Sequence, residues 1–195
     1  LLRGNNGRRG AGIAPIRGHS NVQGDRTVCI TEKPTQVLLD GIRRTYGFSF
    51  PLKDGHDSVE AVRAISDGSS KALVCLGGNL AVAISDPGTT FPAMRQLDLV
   101  VHIATKLNRS HVIPGKQAFL LPCLGRTEED VQASGPQSVT VEDSMSMVHA
   151  SQGGLAPASP HLRSEPSIVA GIASAANQPA SATPREAVRC TSPPS

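Results

Sequence analysis

Apolar residues recur at two different spacings along the chain, and the changes between them mark out the elements. In 35–46, TQVLLDGIRRTY, Val37, Leu38, Ile42 and Tyr46 fall near helical spacing; Thr35 or Pro34 is placed to start the helix and Gly47 to end it. In 57–67, DSVEAVRAISD, the apolar face is Val59, Ala61, Val62 and Ile65. Asp57 or Ser58 stands as N-cap, Glu60 lies in the first turn and Gly68 stops the helix. Residues 71–76, KALVCL, form a continuous apolar run, short enough for a strand buried on both faces. A short helix is predicted over 89–96, a second buried strand over 98–103 (DLVVHI), and a third over 117–121 (QAFLL), ended by Pro122. Helices and strands alternating at this spacing predict an α/β fold, a parallel Rossmann-like sheet with covering helices.

The flanks read differently. Residues 1–26 place glycine at 4, 7, 10, 12, 18 and 24 with no period of 2 or 3.6, so a loop-rich segment is expected. Phe48, Phe50 and Leu52 form a short connection around Pro51. From 136 to 149 apolar residues alternate on both sides of Glu142–Asp143–Ser144, the pattern of a hairpin, expected at the sheet's edge. Residues 166–176 suit one last helix. The final stretch, 177–195, holds four prolines and little to bury, so a disordered Pro/Ser/Ala tail is expected. The division is therefore a Gly/Arg-rich segment 1–34, an α/β domain 35–176 and the tail 177–195.

Composition narrows the function classes. Of 195 residues only 38 % are apolar and 3 % aromatic, so the core is expected to be thin. No run approaches the ~18 apolar residues of a membrane span, and no membrane partner is expected. Leu1 opens the chain and no basic-then-apolar leader follows, so no signal peptide is read and a piece of a longer product is expected. Residues 1–26 carry Arg3, Arg8, Arg9, Arg17 and Arg26 against Asp25, while the remainder is close to neutral. A short basic head suits a local anion site rather than a surface that coats nucleic acid, and aromatics for base stacking are absent from it. Cys29, Cys75, Cys123 and Cys190 make no CxxC pair, which excludes a zinc knuckle and an iron–sulfur run; no metal ligand set is expected in this segment. Cys75 and Cys123, in apolar runs, read as small buried hydrophobes in a reducing, cytoplasmic compartment.

Three places carry candidate chemistry. Gly77, Gly78 and Asn79 follow the first strand directly, where ligands of open parallel sheets bind and where glycines let backbone N–H groups approach a phosphate. The bland alternative is a tight strand-to-helix turn. After the second strand come Thr105, Lys106, Asn108, Arg109, Ser110 and His111, which should meet the first loop at the same sheet edge, with Lys106 and Arg109 able to hold phosphate oxygens; the alternative is a solvated loop. The third is 17–25, RGHSNVQGD, dense in donors, where His19 and Asp25 could act as acid or base. His102 reads as a satisfied sheet histidine, and Met145 and Met147 as edge packing. The pattern is not GxGxxG, so an NAD site is not expected.

Residues 2–27, LRGNNGRRGAGIAPIRGHSNVQGDRT, resemble the molybdopterin-dependent oxidoreductases, and within them the branch of formate dehydrogenase alpha subunits. GGN (77–79), TKLNRSHVIPGKQAFLLPCLGRTE (105–128) and QASGPQSVTVEDSMSMVHAS (132–151) resemble the same branch in the same order. The resemblance implies a bis-molybdopterin guanine dinucleotide cofactor carrying molybdenum. It implies that Gly77, Gly78, Asn79, Thr105, Lys106 and Asn108 hold its guanine dinucleotide, that Gly18, Asn21, Gln23 and Gly24 lie against the pterin, and that Arg17 and His19 act near the metal. Relatives usually have Gln where His19 stands, which sets formate apart as substrate. Family enzymes run several hundred residues, with the metal-ligating part before this segment and a cofactor-gripping barrel after it. The resemblance thus implies a cofactor-binding fragment, inactive alone. The alternatives are one part of a split enzyme, with the remaining parts as partners, or a non-catalytic nucleotide-binding remnant.

Overall fold

The computed structural model describes residues 2–13, 21–31, 33–47, 51 and 53–176. In chain order the elements are helices α1 (Val22–Thr27), α2 (Gln36–Tyr46) and α3 (Ser58–Ser66), strand β1 (Ala72–Leu76), helices α4 (Leu80–Ala83) and α5 (Pro87–Gln96), strand β2 (Leu99–Ala104), a 3₁₀ turn (Arg109–Val112), and strand β3 (Gln117–Pro122). Strands β4 (Val131–Gln132), β5 (Gly135–Pro136), β6 (Val139–Glu142) and β7 (Val148–Ser151) follow, and then helix α6 (Glu165–Ala176). They divide between two compact units, Leu1–Ser69 with Arg126–Ala156, and Ser70–Gly125 with Pro157–Ser195. Phe48, Phe50, Leu52, Cys190 and the expected tail 177–195 lie outside the described residues.

Side-chain chemistry sets the helix limits of the first unit. The Thr35 hydroxyl accepts from Leu38 N, and Gly47 closes α2 with φ 75°, a left-handed cap that glycine adopts without strain. Asp57 accepts from Val59 N and Glu60 N at 2.9 and 2.8 Å, and Glu60 reaches back to Asp57 N, a complete capping box. Asp57→Ala is expected to cost about 1 kcal/mol; a urea titration comparing it with the parent chain checks this. The apolar faces are narrower than their spacing predicts. Ala64 and Ile65 are the buried residues of α3, whereas Val59, Val37 and Tyr46 are exposed. Residues 1–26 are not all loop: turns run through Gly4, Gly7 and Gly10, each with positive φ, but α1 begins at Val22.

The hairpin is present but does not edge the parallel sheet. Among the described residues β6 and β7 pair only with each other, Val139 opposite Ser151 and Glu142 opposite Val148. Nor do Met145 and Met147 pack: both stand exposed in the turn. Period-2 spacing sets which residues share a face; it does not set which sheet a strand joins. In the same unit a small ladder ties 127–129 to 153–155, with Gly154 N and Leu155 N donating to Thr127 O and Glu129 N to Leu155 O.

The second unit is the expected parallel α/β layer. Its three-stranded sheet has the order β1-β2-β3, with Ala72 opposite Leu99 and Leu99 opposite Gln117. Leu73 of β1 and Phe91 of α5 pack on a core of Ala81, Met94 and Ile113, so α4 and α5 cover one face. Val100, Ile103 and Leu97 are fully buried. Only β2, with a strand on either side, behaves as the doubly buried strand the sequence predicts. β1 and β3 are the two edges, and Val74, Leu76, Phe119 and Leu120 are about half exposed. A three-stranded sheet has one central strand, so an apolar run alone cannot tell centre from edge. Cys75 and Cys123 are buried, and burial raises the Cys75 pKa, keeping its thiol neutral.

Candidate functional site

Two strand-end loops of the second unit meet at the carboxyl edge of the sheet. Gly77 N donates to Ile103 O at 2.8 Å, extending the β1–β2 pairing by one bond. Gly77 and Gly78 then both take left-handed conformations, φ 66° and 68°. Two successive residues there exclude a side chain at ordinary cost. A Cβ on Gly78 would point into open space, and one on Gly77 would meet only Glu165 Oε1, from the first turn of α6, at 3.4 Å. The backbone of this corner is thus open to a ligand.

Asn108 ties the second loop to the first. Its Oδ1 accepts from Ser110 N at 2.9 Å, capping the 3₁₀ turn, while its Nδ2 donates to Gly78 O at 2.8 Å. Beneath it, Ser110 Oγ accepts from Ala81 N at 3.0 Å and donates to Asn79 Oδ1 at 2.9 Å. Gly78, Asn79, Asn108 and Ser110 therefore form one bonded rim, as the sequence predicts for residues after adjacent parallel strands. Thr105, Lys106 and Arg109 stand exposed around it, and among the described residues neither cation has an ion-pair partner. Ser110 is the most buried member of the rim, 1 % exposed. Its signal in the sequence is its place two residues after Asn108, where a cap turns it inward. Glu165 had no such signal beyond being an acid at a helix start.

Under the rim lies a histidine pair. His102, on β2, is 3 % exposed, and its Nε2 has no hydrogen-bond partner. The expectation of a satisfied sheet histidine is corrected: its neighbours across the register, Cys75 and Leu120, offer the ring no strong polar partner. The His111 ring meets it edge-on, centroids 4.6 Å apart, but His111 Nδ1 already accepts from Asn108 N. Burial first, and then the neighbouring His111, holds the His102 pKa below its usual 6.5. The unfolded chain therefore takes the proton first. Protonation of the unfolded chain lowers the stability of the fold as pH falls below about 6.5 toward the folded-state value, a penalty absent at higher pH. His102→Leu is expected to flatten the fall in urea midpoint between pH 7 and pH 5. It should also stabilise the chain by about 1–3 kcal/mol by removing an unsatisfied buried group.

Of the pterin-side residues, Arg17, Gly18 and His19 lie outside the described residues. Asn21, Gln23 and Gly24 are brought together in the first unit at the start of α1. Gln23 Nε2 donates to Asn21 Oδ1 at 2.9 Å and to Thr140 Oγ1 at 3.0 Å, and Thr140 Oγ1 donates to Asn21 Oδ1 at 2.7 Å. Thr140, from β6, has no place in the sequence reading, because a partner 119 residues away leaves no local signal. A Cβ on Gly24 would press on the Asn21 carboxamide, its Cγ 2.8 Å away, so glycine there keeps the triad intact. Among the described residues no group of three or more His, Cys, Asp and Glu side chains could hold a metal ion, and no helix is long and apolar enough to cross a membrane.

The chain is 54 % identical over 176 residues to protein YdeP of Escherichia coli K12, covering 90 % of this chain and 23 % of YdeP. An uncharacterized oxidoreductase of Mycobacterium tuberculosis H37Rv is 47 % identical over 186 residues, 95 % of this chain and 24 % of that protein. The chain is related to a segment of oxidoreductases. YrhE of Bacillus subtilis 168, named as a candidate formate dehydrogenase, is 30 % identical over 112 residues, 52 % of this chain and 11 % of its own. The chain thus spans about a quarter of the length of these two curated relatives. No family model matches it.

Proposed function

We propose that this chain is a cofactor-binding segment of a molybdopterin oxidoreductase, and that the rim of the second unit holds the guanine nucleotide end of that cofactor. The observation that carries the reading is the paired left-handed corner Gly77–Gly78, bonded through Asn108 to the loop bearing Lys106 and Arg109. Two glycines free the backbone for close approach, and two exposed cations, without ion pairs among the described residues, suit the phosphates. Thr105 offers a hydroxyl to the sugar or base. Asn108 and Ser110 act as positioning residues, since their polar atoms are taken up in joining the loops. The named relatives, oxidoreductases and a candidate formate dehydrogenase, support the same reading.

When bound, such a cofactor supplies two-electron redox chemistry at molybdenum; the protein contributes binding, orientation and electrostatics. Asn21, Gln23 and Gly24 are the residues of the first unit proposed to face the pterin, with Arg17 and His19 nearer the metal. Catalysis itself belongs to the longer proteins, of which this chain matches about a quarter, so the isolated chain is expected to bind without turning over.

The test is guanosine diphosphate binding by calorimetry. Lys106→Gln combined with Arg109→Gln should weaken it about ten-fold or more, as expected for lost charge-assisted bonds to phosphate. Unchanged affinity in that variant, with the chain folded, would contradict the assignment.

A further inference from the structure

Helix α6 starts at the carboxyl edge of the parallel sheet. Cys123, just past β3, forms a parallel bridge with Arg163, and Leu124 N donates to Arg163 O at 3.0 Å. The helix begins at once: Ile168 N donates to Ser164 O at 3.0 Å, and Pro166 stands in the first turn, where its missing N–H costs no helical bond. Main-chain pairing before Glu165 and a proline-stiffened turn after it fix the backbone of that residue. Its Oε1 lies 3.4 Å from the point a Cβ on Gly77 would occupy. One carboxylate therefore stands against the open Gly77–Gly78 corner.

The other acceptors described at this corner are already engaged. Asn79 Oδ1 accepts from Ser110 Oγ, Asn108 Oδ1 from Ser110 N, and Gly78 O from Asn108 Nδ2. Glu165 makes no hydrogen bond or ion pair among the described residues. Charge is thus divided along the rim. The exposed cations Lys106 and Arg109 belong to the loop after β2, and the carboxylate stands at the corner after β1. A diphosphate is drawn to the cations and repelled by Glu165, which leaves the nucleoside end of a ligand for the carboxylate.

We propose that Glu165 is a specificity-determining residue of the rim, accepting the N1–H and 2-amino donors of a guanine base. The inference rests on the nucleotide reading above and names the group that tells guanine from other bases. An ionised carboxylate only accepts, through two oxygens. Guanine carries two adjacent N–H donors on one edge. Hypoxanthine keeps one of them, and adenine presents an acceptor at the same ring nitrogen. The ribose hydroxyls are the other donor pair of a nucleotide, and the test separates them from the base.

Calorimetry of the chain with the diphosphates of guanosine, inosine, adenosine and 2′-deoxyguanosine provides that test. The parent should bind guanosine diphosphate about ten-fold more tightly than inosine diphosphate, and adenosine diphosphate more weakly still. Glu165→Gln sets an NH₂ against one of the two donors. It should weaken guanosine diphosphate about ten-fold and remove most of the preference over inosine diphosphate. The 2′-deoxy compound should follow guanosine diphosphate in both chains. A role confined to the helix start would move the urea midpoint and leave base preference untouched. Equal affinity of the parent for the guanosine and inosine compounds would overturn the inference. So would a Glu165→Gln chain that keeps the parent's preference, or a loss that vanishes with the 2′-deoxy compound and so belongs to the ribose. If Lys106→Gln with Arg109→Gln weakens binding while Glu165→Gln does not, the nucleotide reading stands and this inference alone fails. Absence of binding by all four diphosphates would overturn both.

Discussion

Gly153→Ala is expected to disrupt the first unit, costing about 3 kcal/mol or more. The Cβ of alanine would lie inside the peptide group of Glu128, with the Glu128 nitrogen at 2.7 Å and its carbonyl closer still. Backbone cannot swing aside as a side-chain end can, so the 127–129 and 153–155 strands must part. Their bonds, Gly154 N and Leu155 N to Thr127 O and Glu129 N to Leu155 O, would lengthen together. Overpacking typically costs about 1–3 kcal/mol, and a clash with main chain on a closed ladder belongs at or beyond the upper end. The adjacent glycine supplies the control. A Cβ on Gly154 meets nothing within 4 Å. Gly154→Ala should therefore change stability by less than about 1 kcal/mol. Urea titrations of the two variants side by side decide the matter, and equal midpoints would contradict this account of the ladder.

Ser110→Ala is expected to cost about 2–4 kcal/mol, from two polar groups losing their partner at once. Ser110 Oγ is the acceptor for Ala81 N, itself 1 % exposed, and the donor to Asn79 Oδ1. Alanine is nearly the same size, so little cavity forms and the loss reports unmet hydrogen bonding rather than packing. The effect should be coupled to Asn79. In a double-mutant cycle with Asn79→Ala, the pair should fall short of additivity by more than about 0.5 kcal/mol. Because Ser110 joins the β1 and β2 loops, guanosine diphosphate affinity should fall with it even though its hydroxyl is turned to the protein. Retained affinity and stability in Ser110→Ala would show that the two loops are held by other means.

Much of this was legible in the chain. Thr35, Gly47, Asp57 and Glu60 are local signals, and the helices they bound start and stop where those residues place them. The parallel sheet followed from three apolar runs separated by helical spacing, and the meeting of Asn108 with Gly78 followed from their places after neighbouring strands. What the sequence left open depends on distant partners. Val74 and Phe119 belong to apolar runs like that of β2, yet they sit on edge strands because nothing in a run states how many neighbours it has. His102 was expected to be satisfied, and only the fold reveals that Cys75, Leu120 and an already engaged His111 surround it. Likewise Asn21 and Gln23 were singled out for a ligand, while their bonds to Thr140 of the hairpin emerge only when the chain is folded.

The central claim is that the rim at Gly77, Gly78, Lys106 and Asn108 holds the guanine nucleotide end of a molybdenum cofactor. Its most direct test is the nucleotide content of the chain purified from a host that makes that cofactor. Mild acid hydrolysis should release GMP in amounts comparable with the chain, together with molybdenum or tungsten by elemental analysis. The Lys106→Gln, Arg109→Gln variant should release much less. A soluble, folded chain that yields neither GMP nor metal would contradict the claim and leave the likeness to oxidoreductases as ancestry alone.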